Sequence, residues 1–98
     1  MVVTCSMPNS NQLTSISRGV YEGQPVQGVR YAMEPHMSGW FITTDDYDGD
    51  VESLHNEHLC HVLEKRPDLV DYLCLPIGWR FDTRRHDVWF DESVSNQS

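Results

Sequence analysis

Three histidines recur every third residue, at His55, His58 and His61, with Glu57 and Cys60 among them. On a helix, residues three apart come within reach of each other, so a His58/His61 metal pair is geometrically feasible. His55, however, falls near the centre of the apolar stripe such a helix would carry, while His61 turns toward its polar side. The rest of the chain nominates no strong further ligand, so these histidines are expected on the helix surface or at the core edge, with no bound metal. Just upstream runs Asp45-Asp46-Tyr47-Asp48-Gly49-Asp50-Val51-Glu52, five acids with no base between them. Calcium is the first chemistry to test there. With Gly49 at the glycine position of an EF-hand loop, Asp46 and Asp48 fall on ligand positions. The first position is then Thr44 and the last is His55, so the bidentate Glu is missing. A loop facing solvent or awaiting a basic partner fits the pattern better.

Covalent chemistry has little to stand on. Cys60 and His61 are adjacent, which on a helix points them about 100° apart. Acids are so frequent that some pair of carboxylates always exists, and such a pair by itself identifies no hydrolase. The chain has no Gly-rich phosphate loop and no serine in an elbow motif. Neither an enzyme nor a cofactor is expected.

The 98 residues suffice for one domain with one core, residues 1–98, centred on about 13–91 with 1–12 and 92–98 peripheral. Fifteen acids against seven Lys and Arg give a net charge of −8. Such a field repels nucleic acid and anionic membranes and steers the chain toward basic partners. The acids are clustered: six lie between Asp45 and Glu57 without a Lys or Arg, while bases gather at Lys65, Arg66, Arg80, Arg84 and Arg85. Three cysteines, Cys5, Cys60 and Cys74, are an odd number and form no CxxC pair. That usage suits a reducing compartment. Met1-Val2-Val3 leads into polar residues without the features of a secretion signal, and no apolar run is long enough to span a bilayer. A cytoplasmic location is expected.

These groups must be positioned by strands and one helical region. Val2–Cys5 suits a short edge strand, Leu13–Ser17 a strand, and Tyr21–Pro25 a turn. Val26–Glu34 alternates, with Val29, Tyr31 and Met33 on one face and Arg30, Ala32 and Glu34 on the other. Gly28 within it implies a bulge or a close neighbour. Pro35–Gly39 connects to a second strand, Trp40–Thr44, which makes an antiparallel hairpin. Leu54, Leu59, Val62 and Leu63 then share one side of a helical wheel. The pattern predicts a helix over Ser53–Lys65, capped by Ser53 or Asp50, a break at Pro67, and a short helix Pro67–Leu73. Trp79–Asp82 and Val88–Phe90 flank a basic turn and form a second hairpin. Trp40, Trp79 and Trp89 are expected in the core or at its edge. Tyr47, beside the acids, is the better interface aromatic. Glu92–Ser98 is expected to fray. The result is an α+β domain, an antiparallel sheet of about five strands with one main helix and a short following helix on one face.

Taken together, Ser17-Arg18 with Val20 and Glu22-Gly23, then Val26 and Val29-Arg30-Tyr31, form an ordered set with several later marks. These are Ser38-Gly39-Trp40-Phe41 running into Asp45-Asp46, Pro67-Asp68, Tyr72-Leu73, and Pro76-Ile77-Gly78 with Phe81. In order and spacing, from about residue 15 to 82, the chain resembles a family of small bacterial immunity proteins of polymorphic toxin systems. Ser-Gly-Trp followed by acids is the most specific mark. Two departures stand out: Ala32-Met33-Glu34 follows Arg30-Tyr31, where the family more often has an aromatic or Met and then Arg-Glu. An extra strand-like stretch also follows Phe81. The resemblance brings no catalytic motif. It implies a protein that neutralises a toxin made by the same cell. The acidity agrees independently, because a basic toxin such as a nuclease would be drawn to Asp45, Asp46, Asp48, Asp50 and Glu52, with Tyr47 as anchor. The alternatives are a small regulatory, ligand- or metal-binding module and a small hydrolase.

Overall fold

A computed structural model of the chain describes residues 5–95. Its six strands form one sheet in the order β4-β1-β3-β2-β5-β6. They are β1 (Leu13–Ile16), β2 (Val26–Arg30), β3 (Met37–Thr44), β4 (His55–His58), β5 (Trp79–Asp82) and β6 (Asp87–Phe90). The helices are α1 (Leu59–Lys65), α2 (Val70–Leu73) and α3 (Glu92–Ser95). The α+β class is as expected, with one more strand than expected. Both predicted hairpins, β2–β3 and β5–β6, are present and antiparallel. β1 instead lies parallel to β3, so the sheet is mixed. The edge strand expected at Val2–Cys5 falls almost wholly outside the described residues.

One face is covered. Ile16, Val26, Trp40, Ile42 and Phe81 from the strands pack against Leu59, Val62, Leu69, Leu73 and Leu75. Trp40 and Phe81 meet edge-on at 5.2 Å, and Tyr72 stacks on Phe81 at 4.8 Å. The close neighbour implied by Gly28 is the Phe81 ring: a Cβ there would lie 2.3 Å from its Cε2.

The predicted helix over Ser53–Lys65 begins six residues late. His55–His58 is a strand paired along its length with β1, from Leu13 opposite His58 to Ile16 opposite His55. The unpaired edge of β1 claims this segment's backbone groups, which outweighs a weak local helical period. His58 then becomes the extended N-cap of α1 without a side-chain cap. Its first amides are taken up by the N-terminal segment: Leu59 N–H donates to Gln12 O at 2.9 Å and Cys60 N–H to Ser10 O at 3.1 Å. Asp50 caps a different turn, its carboxylate accepting the Glu52 N–H at 2.9 Å. The break at Pro67 is present, where a 3-10 turn, Pro67–Leu69, runs into α2.

The alternation expected in β2 is real over a shorter span, and the Arg30 face is the covered one. Arg30 is 7% exposed. Its Nε donates to Ser38 O at 3.0 Å, and Nη1 lies 2.7 Å from both Ser6 O and Leu75 O. One guanidinium thus joins the N-terminal segment, β3 and the approach to β5. Trp40 below it, 5.9 Å from the guanidinium carbon, donates its indole N–H to Leu73 O at 2.9 Å. Gly39, between Ser38 and Trp40, has φ 89°, and a Cβ there would sit 2.2 Å from Tyr31 O. The β1–β3 register slips at the same place, between Leu13/Met37 and Ser15/Phe41. Arg66 plays a similar part on the helical side, reaching Val20 O and Gln24 O while its fork pairs with Asp68. Of the segment expected to fray, Glu92–Ser98, the described part forms α3 with Val94 buried, and the rest lies outside the described residues.

Candidate functional site

The parallel β1–β3 pair brings the ends of both strands to one edge of the sheet. Ser17-Arg18, the loop after β3, and the β5–β6 turn gather there. The acidic loop is shaped by its own carboxylates. The Thr44 hydroxyl sits between Arg18 O, at 2.8 Å, and the Asp46 carboxylate. Asp48 accepts the Asp50 N–H at 2.9 Å, and Ser53 bonds back to Asp50 O through its amide and its hydroxyl. Asp and Asn side chains favour such local backbone bonds, which explains why this composition makes a loop. Asp45, Asp46, Asp48, Asp50 and Glu52 are all exposed, whereas Tyr47 is half-buried.

Two bases that are remote in sequence come close in space. Arg84, from the β5–β6 turn, forms an ion pair with Asp45, with both side chains more than half exposed. Arg18 shares a hollow of about 270 Å³ with Asp46, Tyr47 and Asp48. The loop therefore has cations at its flanks, although none lies within it. The Asp48 and Asp50 carboxylates bond to the loop's own backbone, at the Asp50 and Glu52 amides.

Beyond Tyr47 the uncovered face of the sheet forms a larger hollow of about 450 Å³. Val29, Tyr31, Phe41, Tyr47, Leu54 and Arg80 line it. Tyr31 and Phe41 meet edge-on at 5.4 Å. Arg80 projects across the same face, bonded to Asp91 at 3.1 Å, with its guanidinium 5.7 Å from the Trp89 ring. Hydrogen bonds from Ser93 and Arg80 hold the Asp91 carboxyl below the usual range. Trp89 corrects the expectation of a core aromatic: it is exposed on the outermost strand, whereas Trp40 is buried and Trp79 half-buried. Acidic acceptors beside aromatic walls are the chemistry of binding.

The histidines do not converge. Strand alternation puts His55 in line with core-facing Ile16 and sends His58 to the face of Leu13, at opposite ends of β4. The His58 and His61 rings meet edge-on at 5.6 Å. Among the described residues no group of three His, Cys, Asp or Glu side chains is placed to hold a metal ion. Glu57 accepts a bond from the Tyr21 hydroxyl at 3.2 Å, and burial together with this carboxylate raises the Tyr21 pKa. No helix among the described residues is long and apolar enough to cross a membrane.

Several of the marks that carried the resemblance turn out to be architectural: Arg30, Ser38, Gly39, Trp40 and Asp68 serve the packing described above, whereas Asp45 and Asp46 lie exposed in the acidic loop. The exposed Val88-Trp89-Phe90 edge was not anticipated as a surface. Its signal was three large apolar residues in a row near the chain's end with acids on both sides.

The model of the Imm33-like domain matches residues 1–91 of the chain. No curated protein and no solved structure matches it.

Proposed function

The chain belongs to the Imm33-like domain family, as its resemblance to immunity proteins implied, and from that premise we propose that it neutralises a cognate bacterial toxin by stoichiometric binding. It does so without chemistry of its own. The observation that carries this reading, beside the family, is the acidic loop at the strand-end edge of the sheet. Asp48, Asp50 and Glu52 hold their carboxylates at the surface of a chain with net charge −8. A toxin with a basic groove, a nuclease being one such class, is drawn to that edge electrostatically. Asp45, Asp46, Asp48, Asp50 and Glu52 meet its Lys and Arg, and Tyr47 supplies the aromatic contact.

The test is the triple change of Asp46, Asp48 and Asp50 to Asn, with association to the toxin followed by stopped flow at several ionic strengths. The rate at low salt is expected to fall about tenfold and its salt dependence to flatten. Unchanged rates and an unchanged salt slope would remove the loop from the interface. The hollow of about 450 Å³ favours one second reading, a small-ligand module. A small aromatic ligand that perturbs Tyr31 and Phe41 resonances, in a chain that protects no cell from a toxin, would support it.

A further inference from the structure

A largely antiparallel sheet with one covered face normally turns polar side chains to the other. This sheet does so only in part. Its register sets Phe41, Val29, Arg80 and Trp89 in one cross-strand row on the uncovered face. The next row toward the acidic loop is Thr43, Gln27, Asp82 and Asp87. The face thus grades from aromatic to acidic along the strands. Tyr31, Tyr47 and Leu54, all half-buried, complete the walls of the hollow of about 450 Å³ that lies over Phe41, Val29 and Arg80. Tyr47 also lines the smaller hollow with Arg18, Asp46 and Asp48, so the apolar and acidic parts of the surface are continuous. Tyr, Trp, Phe and Arg are enriched at the centres of protein interfaces, where Asp, Glu and Lys are depleted.

Charge and continuity select the occupant, and each of the seven Lys and Arg has a place. Arg30 and Arg66 are buried, and Lys65 ends α1 in the helical layer. Among the described residues Arg80 is the one charged group lining the larger hollow, and it is bonded to Asp91. Arg18, Arg84 and Arg85 remain at the loop end of the face. They stand there against the five acids of the loop together with Asp82 and Asp87, so the excess is negative whichever of these groups pair. A second copy would bring the same excess. A charged small ligand would find the hollow's cation already engaged. A basic surface that carries an apolar side chain beside its Lys or Arg fits both halves. We propose that the uncovered face is the anchor site for the toxin. An apolar or aromatic toxin side chain seats between Tyr31, Phe41, Tyr47 and Leu54, while neighbouring Lys or Arg residues meet the acidic end. This rests on the immunity reading and deepens it by separating two roles: the loop governs how fast the toxin arrives, and the hollow how long it stays.

The experiment uses the full chain and the toxin domain encoded in the adjacent reading frame, in a catalytically disabled form. Phe41→Ala removes one wall of the hollow. Gln27→Trp, at an exposed position in its lining, fills it without deleting a packed group. Val70→Ala, exposed on α2 on the other side of the sheet, serves as control. Association and dissociation rates are measured at several ionic strengths, with thermal melts to establish that each variant folds. The Tyr31 and Phe41 ring resonances of the wild type are followed as toxin is added. The expected result is dissociation at least about tenfold faster for the two hollow variants and unchanged for Val70→Ala. Association rates and their salt slope should stay within about twofold of wild type, and both rings should shift. Wild-type binding with unaltered dissociation in the folded hollow variants, or with unmoved rings, overturns the anchor and leaves the immunity reading standing. Failure of the wild type to bind overturns both. A small molecule that shifts the two rings while the toxin still binds at its full rates would make the hollow a ligand site and overturn the proposal.

Discussion

Replacing Arg30 with Met keeps most of the side-chain volume and removes the guanidinium that Ser6 O, Ser38 O and Leu75 O share. A hydrogen bond from a charged donor contributes about 1.5–3 kcal/mol net, and a stranded buried carbonyl costs about 1–3 kcal/mol. Three such acceptors give a gross loss of roughly 3–9 kcal/mol. An apolar replacement offsets part of this, because a cation no longer has to be stripped of water, the same burial that lowers the Arg30 pKa. The net expectation is about 2–4 kcal/mol, a large share of the 5–15 kcal/mol typical of a domain. At this chain length that corresponds to a fall in Tm of about 10–25 °C. Urea unfolding followed by tryptophan fluorescence reads it directly, since Trp40 lies under the guanidinium. The midpoint should drop with an unchanged m value. Arg30→Lys keeps the charge without the fork and should fall between the two. The Ser6 amide, bonded to Cys74 O at 2.5 Å, should exchange faster in Arg30→Met. A variant within about 0.5 kcal/mol of wild type would refute the claim that Arg30 joins the three segments.

Other outcomes follow from the same structure. Gly28→Ala forces a methyl against a Phe81 ring that Trp40 and Tyr72 hold from two sides, so it should cost about 1–3 kcal/mol in urea unfolding. Asp68 has a native pKa lowered chiefly by its hydrogen bond from Arg66, so its contribution is complete above the unfolded value near 3.8 and is lost as pH falls through the lower native value. Asp68→Asn should therefore flatten the acid limb of the stability profile below about pH 4 and lower the plateau above it. Cys5 and Cys74 line one hollow, and the Cys74 thiol is pushed up to about 11, first by its neighbour Cys5 and then by burial. Oxidised glutathione should convert this pair into an intramolecular disulfide with loss of two hydrogens by mass spectrometry, and Cys74→Ser should abolish the product.

Local patterns made the two hairpins legible, along with the Pro67 break and the close neighbour at Gly28, because each is written in adjacent residues. β4 was not legible. Leu54, Leu59, Val62 and Leu63 mimic a longer helix, and the partner that draws His55–His58 into the sheet lies some forty residues earlier. Arg30 read as one residue of an alternating strand, although its burial depends on carbonyls from three separate segments. At the candidate site the acids and Tyr47 were visible as a cluster. Arg84 and Arg18 were not, because strand order alone brings them to the loop. Trp89 was misplaced for a similar reason: nothing local to Val88-Trp89-Phe90 says that its strand is the last in the sheet.

Cell survival reads the proposed neutralisation by binding most directly. Cells induced to make the toxin domain encoded next to this chain are plated with and without the chain co-expressed, with both proteins verified in the lysate. Survival should be restored by several orders of magnitude, and a one-to-one complex should be recovered from the rescued cells. Equal killing in the presence of abundant, folded chain would contradict it.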